Sequence, residues 1–275
     1  MKKAPRPEAP RPPTAVTIAS SDSGGGAGIQ ADLLTFAAHG VHGATVLVAG
    51  TAQNTHGVRS IEPLSVRFVT RQLDAVFEDL GPRAVKIGML FDAARVRAVA
   101  RGLDRHRARN VVLDPVIVAT SGARLLSRSG VESLKRDLLP RCDLATPNLP
   151  EAEALARMRI RSDGDRRLAA GIIADLGARA VLLKGGHGRS AESRDLLFDG
   201  RFFTEFAAPR LRTRATHGTG CTLSAAITAN LALGRSLEDA VLRAIAYLRA
   251  TISQGRYPGG GAGVPDRFPR GYLMK

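Results

Sequence analysis

Two glycine runs and one cysteine carry the residue types most suited to chemistry in this sequence. The run Thr216-His217-Gly218-Thr219-Gly220-Cys221 stands directly before an apolar stretch of Ala, Leu and Ile. A helix starting there leaves its first backbone amides without partners and turns the positive end of its dipole outward. Gly218, Thr219 and Gly220 can then offer amide donors to an anion, such as a phosphoryl group in transfer. A thiolate at Cys221 is favoured by the same dipole, and it could act as a base toward a substrate hydroxyl. The bland alternative makes Cys221 a small buried hydrophobe, the usual fate of a lone cysteine. The glycines ahead of it tilt the choice toward chemistry.

The other run is Ser23-Gly24-Gly25-Gly26-Ala27-Gly28. A degenerate dinucleotide fingerprint fits at Gly26, Gly28 and Ala31, but that motif needs an acidic residue about 20 positions on to hold a ribose. No Asp or Glu occurs from Leu33 to Ile61, so a nicotinamide site is rejected. The chain also lacks G-K-[ST], which excludes a Walker A loop. What remains is a flexible loop opening a helix, with more glycines than a tight turn needs and backbone amides able to approach a ligand. Lys184-Gly185-Gly186 reads as the end of a strand, and lysine there is a common partner of phosphate oxygens. Asp114 and Glu151 are candidate oxygen ligands for Mg²⁺, although each alone is more often a cap or a solvated carboxylate. His39 and His42 straddle Gly40 and do not read as a metal pair.

These residues need a frame to bring them together. Apolar, β-branched runs predict strands at Thr14–Ala19, Val41–Val48, Ala84–Ile87, Asn110–Leu113 and Ala180–Lys184, with another strand or loop starting at Leu144. Helical spacing predicts helices at Ile29–His39, Ser65–Leu80, Asp92–Arg107, Glu151–Arg157, Asp165–Leu176, Gly218–Leu233 and Ser236–Ile252. Leu196–Phe198 and Arg201–Phe206 form a hairpin turning at Asp199-Gly200. Alternating strands and helices imply an α/β fold with a mainly parallel sheet covered on both faces. Ligands bind at the carboxyl ends of strands in such sheets. The polar residues Asp22, Gln53, Asn54, Asp114, Asn148 and Lys184 fall there. No internal repeat or linker is visible, so residues 14–275 read as one domain.

Composition narrows the classes. The 275 residues are 44% hydrophobic, without Trp, so the core is aliphatic. The formal charge is +15, and only six of the forty basic residues are lysine. That balance raises the prior for nucleic acid or an acidic ligand. The arginines are scattered, however, and no nucleic-acid-binding motif accompanies them. Arginine-rich helix surfaces are the simpler reading. Cys142 and Cys221 are too isolated to suggest a disulfide framework or a zinc site. Met1–Pro13, with five prolines and no apolar core, reads as a disordered tail rather than a signal peptide. No stretch approaches the length of a membrane span. A cytoplasmic protein is expected.

With its motifs read in order, the chain resembles the bacterial hydroxymethylpyrimidine/phosphomethylpyrimidine kinases of thiamine biosynthesis, in the ribokinase-like superfamily. The resemblance covers nearly everything after the tail. It rests on Gly25-Gly26-Ala27-Gly28-Ile29-Gln30-Ala31-Asp32-Leu33, Ala52-Gln53-Asn54-Thr55 and Lys86-Ile87-Gly88-Met89-Leu90. Leu113-Asp114-Pro115-Val116, Thr146-Pro147-Asn148-Leu149-Pro150-Glu151-Ala152, Lys184-Gly185-Gly186-His187 and His217-Gly218-Thr219-Gly220-Cys221-Thr222 extend it. It implies a three-layer ribokinase-like sandwich with a small β flap. It also implies two ATP-dependent phosphorylations, of a pyrimidine alcohol and then of its monophosphate. Cys221 takes the base role, with the amides of Gly218, Thr219 and Gly220 as the anion hole. Gln53 pairs with the pyrimidine edge, Asp22 and Asp32 join it on the substrate side, and Ala27, Met89 and Val116 wall the pocket. Lys184, Asn148 and Gly186 face the nucleotide, while Asp114 and Glu151 face Mg²⁺. A homodimer is expected from the same likeness. Ser20-Ser21-Asp22-Ser23-Gly24 and Gly259–Pro265 depart from the family's usual pattern. Pyridoxal kinase is the nearest rival activity, although the surroundings of Gln53 and Thr219 look like those of the pyrimidine enzymes. A non-catalytic nucleic-acid-binding protein on the same fold is the rival of another class. The joint presence of Asp114, Glu151, Lys184 and Cys221 speaks against it.

Overall fold

The computed structural model describes residues 11–118, 122–185 and 191–271. Most of the expected tail, together with Gly186 and His187, lies outside the described residues. Nine strands form one sheet among them: β1 (Thr14–Asp22), β2 (His42–Asn54), β3 (Gly57–Pro63), β4 (Ala84–Ile87), β5 (Val111–Leu113), β6 (Leu144–Ala145), β7 (Val181–Leu183), β8 (Glu192–Phe198) and β9 (Phe203–Pro209). Their spatial order is β3-β2-β1-β4-β5-β6-β7-β8-β9. The six central strands run parallel, and β3, β8 and β9 pair antiparallel at the two edges. The helices are α1 (Gly28–Ala38), α2 (Val66–Leu80), α3 (Ala93–Arg105), α4 (Arg128–Ser133), α5 (Leu149–Ala156), α6 (Asp163–Asp175), α7 (Thr219–Ala232) and α8 (Leu237–Ser253).

The sheet is covered on both faces because its strands are apolar on both. Along β4 and β5, Val85, Ile87, Val111 and Leu113 point to one side, where they meet Val69 and Leu73 of α2 and Val96, Val99 and Leu103 of α3. Ala84, Val112 and Leu182 point to the other, against Phe36 of α1 and the buried faces of α7 and α8. This is the period-two alternation of a strand buried twice. α7 is buried at every position from Thr222 to Ala232, and its polar side chains there, Thr222, Ser224, Thr228 and Asn230, donate back to carbonyls one turn earlier. Local signals set the helix starts. Ser65, Asp92, Ser162 and Ser236 cap α2, α3, α6 and α8 through their side chains.

The expected strand ending at Val48 continues to Asn54 and returns as β3, which makes the flap. β3 is a half-exposed edge strand with Arg59, Ser60 and Glu62 along it, so it lacks the apolar run that marks the central strands.

One charged pair interrupts the apolar face. Lys86 of β4 and Asp32 of α1 are both 0% exposed, and their Nζ and Oδ2 atoms lie 2.8 Å apart. Thr17, beside Lys86 in the β1–β4 register, donates its hydroxyl to the same oxygen at 2.6 Å. Burial works against the lysine charge. The Asp32 carboxylate, with Cys221 and Asp114 beyond it, outweighs burial and holds the ammonium above its usual range. Breaking such a pair from one side leaves an uncompensated buried charge. Asp32→Ala should therefore cost about 3–5 kcal/mol in urea denaturation, and the Asp32→Leu/Lys86→Met double variant should recover most of that loss. A double variant as unstable as the single would remove the ion pair as the cause.

Candidate active site

The two glycine runs meet above the carboxyl edge of the sheet. β1 ends at Asp22, and its carboxylate shapes the first loop. Oδ1 accepts the Gly24 amide at 2.8 Å, while Oδ2 accepts those of Gly26 at 3.1 Å and Ala27 at 2.8 Å. Oδ2 also lies 2.9 Å from Nε2 of His217, at the head of the second run. Burial tends to raise this acid, but His217 and the loop amides win and hold it below the usual carboxylate range. Gly28 needs to be glycine. Its φ is +58°, and a Cβ there would lie 2.3 Å from the Ser20 carbonyl oxygen.

In the second loop Gly218 is the N-cap of α7, in the left-handed region at φ 79°. No side chain caps this helix; the Thr219 amide reaches the Thr216 carbonyl at 3.5 Å, and the next amides, of Gly220 and Cys221, are left to face an anion. A Cβ on Gly220 would lie 3.3 Å from both Asp114 Oδ2 and Lys184 Nζ. The start of α7, Asp114 after β5 and Lys184 after β7 therefore share one wall. Lys184 donates to Asp114 Oδ1 at 2.8 Å and stands 4.0 Å from Glu151 Oε2. Asn148 and Glu151 close a reciprocal capping box at the start of α5. Asn148 also bridges to Lys184 across the strand ends.

The electrostatics of this corner are set by burial. Burial pushes the Glu151 carboxyl up to about 7, and Asp114 adds to that against the pull of Lys184 and the Asn148 and Ile117 amides. Cys221 departs from expectation. The dipole argument favours its thiolate, yet burial pushes the thiol up, with Asp32 and Asp114 adding to it. The Lys86 ammonium and the Gly28 amide only partly oppose this. The free thiol is thus the resting form, because loss of water outweighs the helix end.

Of the other expected residues, Gln53 sits on the flap with its side-chain nitrogen 3.2 Å from His217 Nε2 and its oxygen accepting from Thr51. Met89 is buried after β4, and its carbonyl accepts from Ser20. Ala27 and Val116 are partly exposed at the neighbouring loop and strand end. Asp32 requires a correction. It is sealed between Thr17 and Lys86 beneath the glycine loop and cannot touch a substrate. Asp22 serves the loop directly. The Gly259–Pro265 segment packs on the flap, where Ala262 donates its amide to the Thr55 carbonyl. Sequence reasoning passed over Lys86, although a lysine inside the apolar strand Ala84-Val85-Lys86-Ile87 is itself a signal. It also passed over Asp195, which accepts the Gly185 amide at 2.7 Å beside Lys184.

Two carboxylates flanking a lysine are the kind of donor set that Mg²⁺ takes together with phosphate oxygens. Among the described residues no cluster of three or more His, Cys, Asp or Glu could hold a metal by itself. The donor set therefore fits a metal that arrives with a phosphate ligand.

The family model described as phosphomethylpyrimidine kinase matches residues 22–266. A hydroxymethylpyrimidine/phosphomethylpyrimidine kinase of Rhizobium meliloti is 51% identical, over 89% of this chain and 95% of that protein. A thiamine biosynthesis bifunctional protein ThiED of Geobacter sulfurreducens is 49% identical over 90% of this chain, which spans about half (51%) of that longer protein. Among solved structures, the ADP complex of Bacillus subtilis pyridoxal kinase superposes with a TM-score of 0.87 at 33% identity, covering 93% of this chain and 97% of the other.

The raised Glu151 acid makes a pH signature. Its folded value of about 7 lies above the ordinary 4.5. Its contribution to stability is thus full below pH 4.5 and is lost as the pH rises through 7. Glu151→Gln keeps the cap but has no proton to lose. Its melting temperature relative to wild type should climb between pH 5 and 8, by the equivalent of roughly 2–3 kcal/mol. A difference that stays flat with pH would mean that Glu151 titrates normally.

Proposed function

Since the chain belongs to the phosphomethylpyrimidine kinase family, we propose that it uses ATP to phosphorylate 4-amino-5-hydroxymethyl-2-methylpyrimidine and then extends the monophosphate to the diphosphate for thiamine biosynthesis. The observation that carries this reading is the convergence of the Gly220 backbone, Asp114 and Lys184 on one wall, with Cys221 the next residue along α7. It is the arrangement a phosphoryl group needs when its charge is to be met by fixed donors.

In the first step the Cys221 thiol first gives up its own proton to solvent, and the thiolate Sγ then takes the hydroxyl proton of the substrate. The substrate oxygen bonds to the γ-phosphorus, and the bond from that phosphorus to the ADP oxygen breaks. A partly buried thiolate with a raised pKa is a strong base for this, once Lys86 below it compensates the charge. The first-turn amides of α7 face the oxygens of the moving group. Lys184 can exchange Asp114 for a phosphate oxygen, and Asn148 stands beside it on the nucleotide side. Mg²⁺, held by Asp114 and Glu151 with the phosphates, would supply neutralising charge. Gln53 offers the amide edge that a pyrimidine pairs with. Ala27, Met89 and Val116 offer the apolar wall.

The reading carries a cytosolic homodimer that acts on small molecules. No helix among the described residues is long and apolar enough to cross a membrane. The basic surface does not argue for nucleic acid. Many arginines are spent on local carboxylates, such as Arg105 on Asp74, Arg141 on Asp104 and Arg194 on Glu192. Pyridoxal phosphorylation is the second reading, favoured by the close superposition on a pyridoxal kinase.

Turnover of hydroxymethylpyrimidine, its monophosphate and pyridoxal, compared side by side, tests the assignment. Faster turnover of pyridoxal would reverse the two readings. Cys221→Ala should fold normally and lose about 10²–10⁴ in rate on the alcohol. The second step attacks with an oxygen already ionised, so its loss should be smaller. An undiminished rate on the alcohol would take the base role from Cys221.

A further inference from the structure

The chain beyond α8 returns across the active site as a strap. Arg256 and Val264 pair in an isolated antiparallel bridge. Gly261 donates its amide to Thr55 on the flap, and the Gly263 carbonyl accepts the amide of His217. From this strap Arg267 turns inward and is only 4% exposed. Its Nη2 donates to the Gly26 carbonyl at 2.6 Å. A Cβ on Gly218 would lie 1.9 Å from that same carbonyl oxygen and 3.0 Å from Nη2. The two glycine loops and the guanidinium therefore meet at one point.

Arg267 is only partly compensated for a buried arginine. No ion pair to it is found among the described residues, and its buried Nε has no hydrogen-bond partner. A buried, half-satisfied cation is costly. The titratable groups within electrostatic reach of it are Cys221 on α7, Tyr247 on α8, Asp32 on α1 and Asp22 at the end of β1. The Arg267 backbone is anchored independently of the guanidinium, since its carbonyl accepts from the Tyr247 hydroxyl at 2.7 Å.

We propose that Arg267 is a positioning residue for phosphoryl transfer: its guanidinium clamps the Gly26 peptide against Gly218, sets the first glycine loop in register with the amides of α7, and adds a fixed positive charge behind the anion hole. The inference rests on the kinase reading above. It concerns donors that meet charge developing on the phosphoryl group, so its weight falls on kcat rather than on substrate affinity.

The test is steady-state kinetics of the full chain with ATP and hydroxymethylpyrimidine, alongside thermal melts. Arg267→Met keeps the length and removes charge and donors. Its kcat should fall about 10- to 100-fold, the usual size of an outer-shell loss, with both KM values within about threefold. Arg267→Lys, with charge but no fork, should fall between Met and wild type. In Arg267→Ala, millimolar guanidinium should restore part of kcat, which a purely structural loss would not allow. If Met or Ala fails to fold, the Lys variant still decides, because a wild-type kcat there denies the fork its role. A kcat within twofold of wild type for Arg267→Met, or losses that follow the unfolded fraction with no guanidinium rescue, would overturn the proposal. Wild-type protein inert toward the pyrimidine would instead sink the kinase reading itself.

Discussion

The Lys86–Asp32 ion pair constrains everything above it. Both side chains are fully buried, and two charges are tolerated at such a depth only when they face each other closely. The pair fastens α1 to β4 on the face that α7 also covers, and Thr17 ties β1 into the same contact. α1 begins at the first glycine loop and α7 at the second, so a contact made in the core decides how the two loops stand relative to each other. The pair also sets the charge beneath Cys221. Its ammonium eases the formation of a thiolate, while its carboxylate and the loss of water oppose it. The result is a thiol that stays protonated at rest and is basic once ionised.

Above that base the loops are held by groups from distant parts of the chain. Asp22 gathers the amides of its own loop and reaches His217 from the other. Arg267, near the C-terminal end, takes the Gly26 carbonyl that Gly218 packs against. Beside them lies the corner of Asp114, Lys184 and Glu151, where the lysine stands between two carboxylates. A phosphate ligand can enter such a corner by exchanging partners with the lysine, without a new charge being buried unpaired. The overall excess of arginine belongs to another layer of the molecule. It is distributed in exposed or half-exposed pairs that individually contribute little to stability.

What the sequence determined by itself was everything with a local cause. Strand and helix order followed from the period of apolar residues, and the uncapped start of α7 from glycines standing directly before an apolar helix. Asp114, Asn148 and Lys184 were legible because each stands at or just past a strand end, where α/β sheets collect their ligands. Tertiary structure decided what depends on partners far along the chain. Asp32 looked like a substrate residue until Lys86, 54 positions away, claimed it. The direction of the Cys221 shift turned on desolvation, which no spacing reveals. The edge strand β3 has no apolar signature because only one neighbour and no second layer define it. Arg267 lies 241 residues from the carbonyl it holds, and only the folded chain brings a surface-type residue into the centre of the site. Periodicity records which face is buried, whereas the pairing of buried charges is a property of the packed core alone.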